Sequence, residues 1–362
     1  MAAWVKGGAA DVDAAVEAAA DLLAASRVPV LAGLSAEVSA LRAAYRLAET
    51  LGASLDPVSG PSVYAELGAL SAGGAMSTTR AETIGRADVI LIVGNRPWDG
   101  ELIAEIAAAA PSRGRAAGSE RALLSLGGPQ NGAIRHVAYA ADAGGLTISL
   151  GHLRAFAKGH LAGEAAFADL AKRLFAAQYG VIVYDPEEVG ELGAEMLQGL
   201  IRDLNESTRF FALTLADPFQ GRAAVQLSAW TTGQAPRVGF GRHQPEHDSW
   251  RFDSARQIAT GEADAALWLA SLPAPRPAWL GSLPTIAIVG EGSQEAAGET
   301  AEVVITVGVP GQSVGGALWN DRRGVIAYAE ASDPAKTPAE TETAAGVLTR
   351  IRDRLIEKGV SC

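Results

Sequence analysis

The sequence predicts an α/β fold built on parallel sheets covered on both faces. Short apolar runs rich in β-branched residues recur along the chain, and segments of helical periodicity separate them. The runs are apolar throughout rather than alternating, as strands buried on both sides must be. At 362 residues the chain has room for two domains or one large α/β unit.

The elements follow in order. Asp13 to Ser26 places Val16, Ala20, Leu23 and Ala24 on one helical stripe. Val28 to Gly33 is then a buried strand with a glycine exit. Ser35 is suited to cap the next helix, with Glu37 in its first turn. That helix carries Leu41, Tyr45, Leu47 and Ala48 and stops near Gly52. The pattern returns with a strand at Ala87–Gly94, a helix over Gly100–Ala110 and a weaker strand at Ala122–Leu126. Helices are predicted over Gly144–Lys158 and Gly163–Gln178. A strand at Gly180–Tyr184, a helix at Val189–Leu204 and a strand at Arg209–Thr214 follow. Later strands are Ala265–Leu269, Thr285–Val289 and Val303–Val307, and a helix spans Thr343–Lys358 with Val347, Ile351, Leu355 and Ile356 on one face. The clearest loops are Ala274-Pro275-Arg276-Pro277 and Ser332-Asp333-Pro334.

Composition narrows the function. Apolar residues make up 48% and charged residues 20%, which excludes a disordered, collagenous or coiled-coil chain. With 30 Lys+Arg against 41 Asp+Glu the net charge is −11, and no basic run is present. Nucleic acid and anionic membrane both require concentrated positive charge, so neither is an expected partner. Cys362 is the one cysteine. An internal disulfide, a Cys-ligated zinc and an iron–sulfur cluster held by this chain are therefore excluded. A reducing compartment suits such usage. The apolar stretch Ala14–Ala25 is broken by Glu17 and Asp21, and no uncharged run reaches spanning length. A cytoplasmic location without signal peptide or membrane span is expected.

Familiar catalytic motifs are missing or compromised. There is no Walker A sequence. Gly290-Glu291-Gly292 follows a strand, but it lacks the third glycine and sets a carboxylate where a pyrophosphate would lie. His243-Gln244-Pro245-Glu246-His247 matches the H-x-x-E-H pattern, yet Pro245 forbids the helix that would align both imidazoles. A polar loop is the plainer reading. His136, His152 and His160 are isolated, and Glu187-Glu188 reads as a solvated helix start. Two segments stand out as long glycine-bearing loops: Asp56-Pro57-Val58-Ser59-Gly60-Pro61-Ser62, and Ala229 to Arg242. Such loops at strand ends bind ligands in α/β folds, or pack against a partner.

On these segments the chain resembles a known family. Val30–Gly33, Ala43–Glu49, Leu51-Gly52-Ala53 and Asp56 are similar to the opening unit of formylmethanofuran dehydrogenase B subunits. Those belong to the molybdopterin oxidoreductase superfamily. The resemblance is closer to the B subunits of the formyltransferase/hydrolase complex of methylotrophic bacteria. Arg86–Asn95 with Pro97, Trp230-Thr231-Thr232-Gly233 running into Val238-Gly239-Phe240, and Glu262–Leu267 extend it over about residues 25–330. The departures are informative. The Cys-rich iron–sulfur module of the redox enzymes has no counterpart. Their Cys-His-Gly-Pro reads Val58-Ser59-Gly60-Pro61, so Val58 stands where a metal-ligating cysteine would be, and valine has no donor atom. Their Gly-x-Asn-Pro reads Gly94-Asn95-Arg96-Pro97.

The resemblance implies two Rossmann-like domains, one inserted in the other: 1–60 with 176–362, and 61–175 as the insert. It implies a non-catalytic structural subunit without cofactor or metal. The complex would move formyl groups from formyl-tetrahydromethanopterin to a methanofuran-like carrier and release formate. The partners would be an amidohydrolase-like A subunit, a C subunit and a formyltransferase D subunit. Trp230, Trp250, Trp319, Arg242 and Phe240 are the expected interface residues, because buried aromatic and Arg anchors dominate such contacts. The alternative is a remnant pocket lined by Ser59, Arg96, Thr232, Gly233, Arg242 and His243, holding a pterin, a nucleotide or the carrier's anionic tail. Arg27–Gly33 with Leu47–Glu49 also resembles the central domain of thiamine-diphosphate enzymes, but their Gly-Asp-Gly motif is missing.

Overall fold

A computed structural model describes residues 2–130, 132–163, 165–215, 217–293, 300–332 and 341–360. The chain divides into two units. Unit 1 comprises residues 1–60, 217–319 and 326–362, and unit 2 comprises 61–216 with 320–325. The sequence reading placed the return to the first unit at 176. The structure places it at Asp217, because the two strands between those positions hydrogen-bond into the sheet of unit 2.

Unit 1 opens with β1 (Ala3–Val5) and β2 (Gly8–Ala10), a hairpin too short to show periodicity. Helix α1 (Val12–Ala25) is capped by Asp11, whose carboxylate accepts from the Ala14 amide at 2.7 Å. Then come β3 (Pro29–Ser35), α2 (Val38–Leu51) and β4 (Ser54–Pro57). Gly52 ends α2 in the left-handed conformation, as its position predicts. Ser35 is not the cap of α2; it lies inside β3, and Glu37 takes that role.

Unit 2 begins with α3 (Gly60–Gly73) and α4 (Arg80–Arg86) and continues through β5 (Val89–Val93), α5 (Leu102–Ala107), β6 (Ala122–Leu126) and β7 (Val137–Tyr139). Helices α6 (Leu146–Ala157) and α7 (Ala165–Phe175), β8 (Gly180–Tyr184), α8 (Pro186–Leu204) and β9 (Phe210–Thr214) complete it. All five strands are parallel, in the order β7-β6-β5-β8-β9. Leu91, Leu124 and Ile182 face α6, α7 and α8. Ile90, Ile92, Val181 and Val183 face Ile103 and Ile106 of α5. Helices thus cover both faces, as strands apolar on both sides require.

The chain re-enters unit 1 with α9 (Gly221–Thr232), β10 (Val238–Gly239), β11 (Glu246–His247), α10 (Ser254–Ala259) and β12 (Ala265–Ala270). Next are β13 (Thr285–Gly290), β14 (Val303–Val307), the hairpin β15 (Gly316–Asn320) and β16 (Val325–Ala329), and α11 (Ala344–Glu357). The sheet order is β11-β10-β4-β3-β12-β13-β14-β1-β2, with a parallel core from β4 to β14 and an antiparallel pair at each edge. Leu267, Ile286, Ile288 and Ile305 pack under α1, α2, α9 and α11. The opposite face departs from a fully helical cover. There Trp268, Ala287 and Val289 pack against Leu280 with Ala274 and Trp279, so the segment that begins in the expected proline-rich loop packs on the sheet.

The expected loop Ala229–Arg242 begins inside a helix, and Asp333-Pro334 of the other expected loop lie outside the described residues. Trp230-Thr231-Thr232 forms the last turn of α9, and only Gly233 onward leaves the helix. The Asp56–Ser62 segment likewise divides between β4 and α3.

Candidate functional site

In a doubly wound sheet, ligands bind outside the carboxyl ends of the strands where the winding reverses. Each unit has such a point. In unit 1 it lies between β3 and β12, and in unit 2 between β5 and β8.

In unit 2, Gly94 leaves β5 with φ 86°. The next two amides, of Asn95 and Arg96, donate to the Glu188 carboxylate at 2.8 and 3.1 Å. A side chain at Gly94 would collide with that carboxylate, so both its φ and its surroundings call for glycine. Asp185 caps α8, accepting from the Glu187 and Glu188 amides at 2.7 and 3.0 Å. Arg96 lies across this corner, 2.6 Å from Glu187 and 3.4 Å from Asp185. Its hydrogen bond to Glu187, with the field of Asp185, raises its pKa further. The chain's own carboxylate therefore lies on the amides that an external anion would use.

Unit 1 repeats the arrangement with different residues. Gly33 leaves the body of β3 at φ 89° against the Trp268 ring, and Leu34 follows at φ 55°. Glu37, 5% exposed, turns its carboxylate onto the Ser39 and Ala40 amides at the start of α2. Gly316 of β15 packs against the Glu37 stem. The N-terminus of α2 is thus satisfied internally and covered.

The segment Asp56–Gly60 is pinned by each of its polar groups. Asp56 accepts from Arg237 Nε at 2.9 Å and from the Ser254 amide and hydroxyl, each at 2.8 Å. Arg237 also pairs with Asp253 at 2.6 Å. Burial pushes the Asp56 carboxyl upward, against the pull of Arg237. The Val58 amide donates to Gly33 O at 2.7 Å. Ser59 donates to Asp217 Oδ1 at 2.7 Å, and Asp217 also takes the Phe219 and Gly221 amides.

The residues of this segment do not fit the metal of the redox family. Val58 offers no lone pair, and the Ser59 hydroxyl is engaged with Asp217. Among the described residues no group of three His, Cys, Asp or Glu is placed to hold a metal ion.

The five pocket residues of unit 1 are not brought together. Arg96 belongs to unit 2 and the other five to unit 1. Ser59 lies by Gly221 at the start of α9, whereas Thr232 and Gly233 lie at its end, roughly 17 Å along the helix. The Thr232 hydroxyl donates to Ser228 O at 2.7 Å. Arg242 and His243 are exposed in the turn between β10 and β11, where Arg242 pairs with Glu246 at 3.1 Å. The H-x-x-E-H stretch is the turn and second strand of the hairpin β10–β11, with His247 opposite Val238 and Glu246 opposite Gly239. Its imidazoles share no helix face. Glu188 and Glu37 escaped the sequence reading, which took Glu188 for a solvated helix start and Glu37 for a first-turn charge.

The fold and these corners define a class: a double α/β protein whose two ligand-binding corners are filled by its own glutamates. No protein-family model matches the chain. A solved structure does. It is similar, at 98% identity with a TM-score of 0.95, to a chain of the formyltransferase/hydrolase complex (FhcABCD) from Methylorubrum extorquens in complex with methylofuran. The match covers 99% of this chain and 100% of that one. The chain belongs to the family of subunits that build the formyltransferase/hydrolase complex.

Proposed function

We propose that the chain is the B subunit of a formyltransferase/hydrolase complex in one-carbon metabolism, and that its role there is structural rather than catalytic. In this reading the complex carries formyl groups from formyl-tetrahydromethanopterin to a methanofuran-like carrier and releases formate in the cytoplasm. The amidohydrolase-like A subunit and the formyltransferase D subunit perform the chemistry, with the C subunit as the further partner.

The observation that carries this reading is the filling of both switch points by Glu37 and Glu188. A corner whose amides already hold a carboxylate and whose floor is packed offers no place for a substrate anion. The surface supports it as well. Trp230 and Trp250 are 64% and 70% exposed. Trp250 is held in place by the Arg256 guanidinium, 4.2 Å from its ring centre. Large, immobilised aromatic side chains on a surface are typical anchors for a partner. Of the other interface candidates, Phe240 is buried in the core and Trp319 packs partly against it, so Trp230, Trp250 and exposed Arg242 remain.

Affinity purification of the complex from its host tests the assignment. Wild-type chain should bring down the other subunits in fixed ratio, and Trp250→Ala should reduce that recovery at least several-fold while the chain stays folded. Purified chain alone that transferred or hydrolysed formyl groups would overturn the structural role.

A further inference from the structure

A cavity of about 390 Å³ lies on unit 1, beside the C-terminal end of α2. Arg46, Glu49 and Thr50 of α2, Phe240 and His243 beyond β10, and Arg352, Ile356 and Val360 at the end of the chain's last helix line it. Its lining is unlike the rest of this acidic chain: two arginines and a histidine accompany one glutamate.

The pairing on α11 sharpens the contrast. Arg350 is matched by Glu342 and Asp13, Arg354 by Glu357 and Glu17, and Lys358 by Glu17 and Asp21. Arg352, set among them, makes no ion pair with a described carboxylate; its Nε donates to the Thr50 hydroxyl at 3.3 Å. Arg46 makes none with the described residues either. Arg46 and Arg352 thus line one recess from neighbouring helices, with Glu49 the one carboxylate among its lining residues. Guanidinium forks match oxyanions, which they bind with two parallel hydrogen bonds. One wall is apolar: Phe240 is 5% exposed and Ile356 is 47% exposed. His243 is delivered to the rim by a left-handed turn at φ 60°, its amide bonded to Phe240 O at 2.9 Å.

We propose that this cavity is a binding site for an aliphatic carboxylate. Arg46 and Arg352 hold the oxyanion, Thr50 and His243 flank it, and the stem lies along Phe240 and Ile356. Glu49 offsets one of the two fixed positive charges, which suits a small mono- or dicarboxylate over a highly charged anion. The inference is independent of the structural role in the complex, and its failure leaves that role standing.

Calorimetric titration of the full chain with glutarate at low ionic strength tests it. Saturable one-site binding is expected, weakening as salt rises. Arg46→Ala and Arg352→Met should each lower affinity about tenfold, the effect of losing one charge-assisted contact. Arg42→Ala, exposed on the same helix but outside the cavity, should leave binding unchanged. Circular dichroism on each variant separates lost binding from lost fold. Three results would overturn the proposal: no saturable binding by folded wild type, binding undiminished in both cavity variants, or saturation by inorganic phosphate where glutarate fails.

Discussion

Asp56 and Arg237 show how single side chains settle the geometry of this protein. The pair is nearly buried and satisfied on every side, so its two halves depend on each other. Removing one partner of a buried pair strands the other charge, which costs about 3–5 kcal/mol. Arg237→Ala should lower stability by that order in urea unfolding. Asp56 is held above its free value by burial, so the folded chain keeps its proton to higher pH than the unfolded chain does. Its titration therefore favours the fold on the acid side, and that contribution is lost as pH rises through the folded pKa. Asp264 behaves oppositely. Burial raises its pKa, but hydrogen bonds from Ser26, Arg27 and Val28 outweigh burial and hold it below 3.8. Its contribution is present above that value and is lost as pH falls through the folded pKa. The stability gap between wild type and Asp264→Asn, measured by denaturant titration across acid pH, should narrow as pH drops. A gap constant with pH would show that these hydrogen bonds do not depend on the charge.

Helix starts and strand exits carry the next level of specificity. Glu37→Ala removes the acceptor for two amides of α2 and should cost about 1 kcal/mol, read as a lower thermal midpoint. Gly33 combines φ 89° with close contact to Trp268, so Gly33→Ala should destabilise by more than about 1 kcal/mol. The strands were readable because complete burial makes each a continuous apolar run: β3, β5, β8, β12, β13 and β14 all lie within predicted segments or overlap them. The edge elements were not. β1, β2, β10 and β11 span two or three residues each, too few for any period to register. Their pairing comes from sheet neighbours far away in sequence. Helix α9 was hidden for another reason. The Thr-Thr-Gly at its end reads as loop chemistry, and its helical stripe of Ala223, Ala224 and Leu227 is short.

For the molecule as a whole, the division into units followed sheet pairing rather than any break in composition. The return to unit 1 falls 41 residues beyond the expected 176, since β8 and β9 extend the sheet that β5 begins. Trp250 belongs to this scale too, as an exposed aromatic side chain of the proposed interface. Its replacement should weaken complex recovery while leaving the isolated chain's melting temperature within about 1 °C, as expected of an exposed side chain away from the core.

Composition and local pattern were enough to establish the α/β class, the buried strands and the unsuitability of Val58 as a metal ligand, because burial and donor chemistry are properties of residue type. Long-range placement decided the rest. Within unit 1, Ser59 lies at the start of α9 and Thr232 and Gly233 at its end, with Arg242 and His243 beyond in the turn after β10. Glu188 stands 93 residues from the Asn95 amide it satisfies, and Arg352 stands far along the chain from the Arg46 with which it lines a cavity. A carboxylate beside a helix start looks solvated in sequence. Only the return of the chain to the same corner turns it into an internal ligand.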